Sequence, residues 1–117
     1  MKNYQTVHVS EESRVCLHDV LSLTGAEVSL NRLEKGQGVP FVHAHRQNEE
    51  IYGILEGKGR AVIDGETVCL QKGDWLRIAP SAKRQFFSAS DCSIFYIFIQ
   101  VKENSLQQHT TEDGIAF

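Results

Sequence analysis

A chain of 117 residues, 41% apolar and 23% charged, has the size and make-up of one globular domain around one hydrophobic core, not of a disordered polymer. A net charge of −3, with no run of Lys and Arg, argues against a nucleic-acid partner, which needs a basic face for phosphate. The opening MKNYQTVHVS lacks the apolar core of a signal peptide, and no stretch approaches the roughly 20 apolar residues of a membrane helix, so a cytoplasmic protein with no membrane partner is expected.

In chain order, Ser10–Leu17 carries the one helical signal, a serine cap followed by acids, enough for a single short turn. Glu27–Leu30 alternates, with Ala26, Val28 and Leu30 on one face and Glu27, Ser29 and Asn31 on the other, as a half-buried strand does. A Gly-rich loop leads to Pro40, which bars a central strand there. Glu50–Leu55 reads as the next strand, closed by Gly57 and Gly59. Arg60–Ile63 and Thr67–Leu70 follow as a hairpin about Asp64-Gly65, the dipeptide a tight turn prefers. Trp75–Ala79, Gln85–Ser88 and Ser93–Val101 complete the strands. Short strands at this spacing predict an all-β barrel or sandwich in a single domain.

Cys16, Cys69 and Cys92 are far apart and odd in number, so they read as reduced, mostly buried thiols. Of five histidines only His43 and His45 are close together. On an extended segment, residues i and i+2 share a face, so both imidazoles converge while Ala44 turns away. Arg46-Gln47-Asn48 supplies a turn, after which Glu50 can return its carboxylate to the same point. Glu49 faces the other way by alternation and belongs in solvent. Two imidazoles and one carboxylate are the donor set that holds iron(II) and related ions while leaving coordination positions open. Tyr52 and Ile54 share the face of Glu50, Phe87 shares that of Gln85, and Tyr96 shares that of Phe98. Trp75 is expected against the barrel wall or an interface, and Arg77 and Arg84 are expected at the surface. His8, His18 and His109 lie outside every motif and read as surface or structural residues.

Gly38-x4-His43-x-His45-x4-Glu50-x6-Gly57 resembles the first conserved motif of the cupin superfamily, with one residue fewer before the first histidine. Asp64-Gly65-Glu66 and Leu70-x2-Gly73-Asp74 resemble the hairpin that follows, and Gly73-x6-Pro80-x-Ala82 resembles the second motif. The likeness spans residues 30–101, with residues 1–20 and 104–117 flanking. It implies a double-stranded β-helix, or jelly-roll barrel, and a divalent ion (Fe, Mn, Ni or Zn) on His43, His45 and Glu50. The second motif ordinarily ends in a third metal-binding histidine. Here that position is Gln85, which as an inward residue is a fourth ligand, a hydrogen-bond donor to bound water or substrate, or the mark of a decayed site. A divalent ion on two imidazoles and one carboxylate would keep a net positive charge, which implies a small oxygen-rich anionic metabolite as substrate. The resemblance adds dioxygenase-like or isomerase-like chemistry and a homodimer. Catalytic roles fall to Gln85 or Tyr52 in orienting the substrate and to Glu50 as a base, the last competing with ligation. The alternative is a non-catalytic small-molecule or sugar-binding module.

Overall fold

The computed structural model describes residues 3–10, 12 and 14–117. Its elements are β1 (Arg14–Cys16), α1 (Leu17–Leu21), β2 (Glu27–Leu33), β3 (Asn48–Ile63), β4 (Glu66–Gln71), β5 (Trp75–Ile78), β6 (Arg84–Ser88), β7 (Ile94–Lys102) and a 3-10 turn at Thr111–Asp113. Every strand pairing is antiparallel. One sheet runs β1-β2-β7-β3-β5, and the other groups β4 and β6 on either side of the far half of β3. The segment before β3 completes the barrel through the bridges of Gly38 with Phe87 and His43 with Arg84.

β3 spans both sheets. The two strands expected at Glu50–Leu55 and Arg60–Ile63 are one continuous strand. Its register against β7 slips between Ile54 and Glu56, and Gly57 follows at φ +83°. A bulge bends a strand sharply without ending it, so the glycines mark a corner rather than a terminus. At Gly57 a side chain is excluded twice over: the φ is left-handed, and a Cβ would stand 1.9 Å from the Ser93 carbonyl oxygen. The Asp64-Gly65 hairpin closes as expected. Both residues take positive φ (50° and 84°), the type I′ turn whose twist matches the flanking strands.

The helix lies later than the sequence suggests. Part of Ser10–Leu17 falls on residues outside the described set. In the remainder, Arg14–Cys16 is strand, paired with Asn31, Leu30 and Ser29, and the helical turn occupies Leu17–Leu21. Pairing with β2 satisfies backbone groups that one exposed helical turn would leave to water. The core is Ile54, Ala61, Leu70, Ile78, Phe86 and Ile94 with Tyr52 and Tyr96. Tyr52 stacks on Phe86 at 4.9 Å between ring centroids, and Phe86 meets Tyr96 at 4.4 Å. Cys69 is exposed and the other two cysteines are half-buried, so none is a core residue. Ile115 and Phe117 are exposed and do not dock on this barrel.

Gly57→Ala is expected to destabilise the fold by about 3 kcal/mol or more, since both the φ and a backbone oxygen oppose it. Gly25→Ala, where an added Cβ meets nothing within 4 Å, is expected to stay within about 0.5 kcal/mol. Urea denaturation of the two variants against the parent chain checks the contrast. Equal effects would refute the corner assigned to Gly57.

Candidate metal centre

Three pieces of chain build the site. The extended segment carrying His43 and His45 is held by backbone bonds: His43 and Arg84 exchange both, at 3.0 and 2.8 Å, and His45 N–H donates to the Pro80 carbonyl at 2.8 Å. Both imidazoles are half-buried while Ala44 is exposed, as the alternation requires. Their rings lie 5.3 Å apart and nearly perpendicular. β3 then returns and presents Glu50, which has no exposed surface at all. One nitrogen of each imidazole and a carboxylate oxygen of Glu50 lie within 4.8 Å of one another. His45 Nε2 contacts Glu50 Oε2 directly, and His43 Nε2 lies 3.8 Å from the same oxygen. Such a donor set suits a divalent ion: two neutral nitrogens and an anionic oxygen around one point, with His43 Nδ1 buried and free of any hydrogen bond. Glu49 turns outward and pairs with Arg77 at 2.7 Å. Arg77 also reaches Glu103 at 2.8 Å and remains at the surface. His8, His18 and His109 are exposed, and His18 lies 3.2 Å from Asp19.

The other oxygen of Glu50 faces a residue expected at the surface. Arg84 is only 1% exposed. Its Nη1 lies 3.2 Å from Glu50 Oε1, and its Nη2 donates to the Ala79 and Pro80 carbonyls. The phase of β6 is therefore opposite to the one expected: Arg84, Phe86 and Ser88 point inward, and Gln85 and Phe87 do not. Gln85 Nε2 donates to the Val39 carbonyl at 2.7 Å. Pro40 and the residues after it leave the ladder between the bridges at Gly38 and His43, so the Gln85 amide meets a carbonyl that no strand bond serves. Phe87 packs under the Arg60 guanidinium at 4.3 Å. Neither residue joins the donor cluster. Trp75 lies on the outer face, 60% exposed, across Gly53, where a Cβ would come within 2.3 Å of its ring.

A cavity of about 320 Å³ opens beside the donors, lined by His43, His45 and Glu50 together with Tyr52, Tyr96 and Phe98. Tyr52 donates to Glu50 Oε1 at 3.3 Å. Burial, reinforced by the Glu50 charge, holds the Tyr52 hydroxyl far above its ordinary pKa. Burial likewise pushes Tyr96 up to about 12. Both are neutral hydroxyls at any physiological pH. A further part of the lining was not foreseen. β2 turns its polar face inward, with Ser29 fully buried and Asn31 nearly so. Asn31 donates to Ser29 and accepts from Arg14 Nη1 at 2.8 Å, which fixes a guanidinium on the cavity. The signal was present in the alternation of Glu27, Ser29 and Asn31, but polarity alone reads as solvent.

An antiparallel barrel with two imidazoles and a carboxylate converging beside a cavity defines a small β-barrel protein with a candidate metal site. Residues 29–99 match the Cupin domain family, and the chain belongs to it. A cupin protein from Bacteroides fragilis is 61% identical across 100% of this chain and 99% of that one, with a TM-score of 0.96. A sugar phosphate isomerase of the cupin superfamily from Silicibacter pomeroyi shares 23% identity over 77% of this chain and 60% of that one, TM-score 0.69, a likeness of fold alone. An uncharacterized protein of Methanocaldococcus jannaschii is 45% identical over 40 residues, which is 34% of this chain and 32% of that protein. No helix among the described residues is long and apolar enough to cross a membrane.

Glu50→Ala is expected to cost about 3–5 kcal/mol, because it leaves the Arg84 guanidinium buried and unpaired. Glu49→Ala, which removes a half-exposed pair with Arg77, is expected to cost under about 1 kcal/mol. Chemical denaturation checks both. A Glu50 variant as mild as the Glu49 one would refute the buried pairing.

Proposed function

We propose that this cupin binds a divalent ion of the Fe, Mn, Ni or Zn type through His43, His45 and Glu50 and receives a small oxygen-rich anion in the adjoining cavity. The observation that carries the reading is the convergence of the three donors on a cavity of about 320 Å³, enough for a metabolite of modest size. Bound there, the ion would supply Lewis-acid polarisation of a hydroxyl, carbonyl or carboxylate oxygen. Arg14, held by Asn31, offers the anion a positive charge in the same cavity. Tyr52 and Tyr96 offer hydroxyl donors that stay protonated, and with Phe98 they give the cavity its apolar wall.

Glu50 is a poor candidate for a base. Its carboxylate already faces His45, His43, Tyr52 and Arg84, so both oxygens are engaged by the protein rather than turned toward a substrate proton. No other carboxylate lines the cavity among the described residues. That supports oxidation of the dioxygenase type over side-chain proton abstraction of the isomerase type. It equally supports the second reading, a binding module that holds its ligand without turnover. Gln85, whose amide N–H donates to Val39 and which does not line the cavity, is left out of this ligand set.

Elemental analysis of protein purified without added metal is expected to find about one ion per chain. His43→Ala is expected to abolish it, and Gln85→Ala to leave it unchanged while costing about 1–3 kcal/mol of stability through the stranded Val39 carbonyl. Metal retained in full by His43→Ala would overturn the assignment.

A further inference from the structure

Arg84 plays no part in the metal reading, yet its guanidinium is only 1% exposed. A guanidinium taken out of water is unfavourable unless it is paired and hydrogen-bonded. Only Nη2 is served by carbonyls, those of Ala79 and Pro80. Nε has no hydrogen-bond partner, and Nη1 rests 3.2 Å from Glu50 Oε1 as an ion pair without hydrogen-bond alignment. An apolar side chain would fill the same volume with none of these costs. What Arg84 supplies is charge, delivered to one oxygen of a carboxylate whose other oxygen faces two imidazoles.

We propose that Arg84 is a resident counter-cation of the metal site: it neutralises Glu50 so that the barrel folds without metal, and it holds the affinity for the ion down so that the ion exchanges. The inference rests on the metal-binding reading above. Glu50 at zero exposure needs a positive partner in every state of the protein. In the metal-free state the guanidinium is that partner. A dication held by these donors would share the Glu50 carboxylate with Arg84, the imidazoles lying against one oxygen and the guanidinium against the other. In a poorly hydrated interior the repulsion between ion and guanidinium is much stronger than in water. Folding and metal uptake are thereby uncoupled, unlike sites where unpaired ligands make the metal a condition of the fold.

The test is calorimetric titration with Mn²⁺ and Zn²⁺ of chelator-stripped parent protein, Arg84→Gln and Arg84→Lys, with a thermal melt of each in both states. The stripped parent is expected to keep a cooperative melt. Arg84→Gln retains an amide donor for the Ala79 and Pro80 carbonyls but lacks the charge. It is expected to bind either ion at least about tenfold more tightly, and to melt well below the parent when stripped and near it when loaded. Arg84→Lys keeps the charge and is expected to bind within about threefold of the parent.

An Arg84→Gln affinity equal to or weaker than the parent's, while the parent binds metal, overturns the counter-cation and leaves the metal reading standing. A stripped parent without a cooperative melt overturns it too. So does an Arg84→Gln chain that fails to fold even with metal present, because the ion should then replace the guanidinium as the partner of Glu50. A parent that takes up neither ion ends both readings together.

Discussion

The burial of one carboxylate organises this protein. Glu50 has no solvent-exposed surface, and an ionised carboxylate in that position is tolerable only if positive or hydrogen-bonding groups surround it. Those groups come from separate parts of the chain. His43 and His45 arrive on the segment before β3, Tyr52 comes from β3 itself, and Arg84 comes from the start of β6. The pairs that hold them in place, His43 with Arg84 and Glu50 with Ile78 and Gln100, are ladder and bridge contacts of the barrel. Closing the barrel and assembling the site are therefore one event, and neither sheet alone could meet the demand of Glu50.

β3 makes that closure possible. Its first half lies between β5 and β7 and presents Glu50 and Tyr52 inward; its second half lies between β4 and β6 and presents Ala61 to the same core. The corner between them is made by the register slip at Leu55 and by Gly57, which lets the Ser93 carbonyl approach where no side chain fits. A strand that bent elsewhere would carry Arg84 to a different row of the sheet. The stack of Tyr52, Phe86 and Tyr96 then fills the space below the site, so the donors rest on a packed aromatic floor.

Much of this was legible in the sequence, for definite physical reasons. The spacing of His43, His45 and Glu50 encodes both an alternation and a turn, and the choice of Glu50 over Glu49 follows from parity within a strand. Asp64-Gly65 encodes a turn directly, because few other residue pairs accept two positive φ values. The phase of β6 was not legible. Arg84-Gln85-Phe86-Phe87-Ser88 places a phenylalanine on each face, so apolar alternation cannot say which face is inside. A slip of one residue exchanges every side chain on the strand. The position five residues after Pro80 is Gln85, and an inward Gln85 puts Arg84 out of phase and at the surface. Only the requirement of a buried Glu50 for a second cation picks the other phase, and that requirement appears once both strands lie side by side. The single long β3 was hidden for a related reason: glycine signals a bend and an end in the same way.

β2 shows the converse case, in which the pattern was read correctly and its meaning was inverted. Val28 and Leu30 lie on the outer face, only half-buried, while Ser29 and Asn31 face the interior. A strand that merely completed a core would do the reverse, since burying a hydroxyl and an amide gains little even when both are hydrogen-bonded. The bonds from Asn31 to Ser29 and from Arg14 to Asn31 form a chain that ends in a guanidinium on the cavity. The imidazoles and Glu50 line the same cavity. Polar residues thus line a space that apolar side chains could have filled. The barrel keeps that space open at the expense of core packing, and lines it with groups suited to an anion and to a cation.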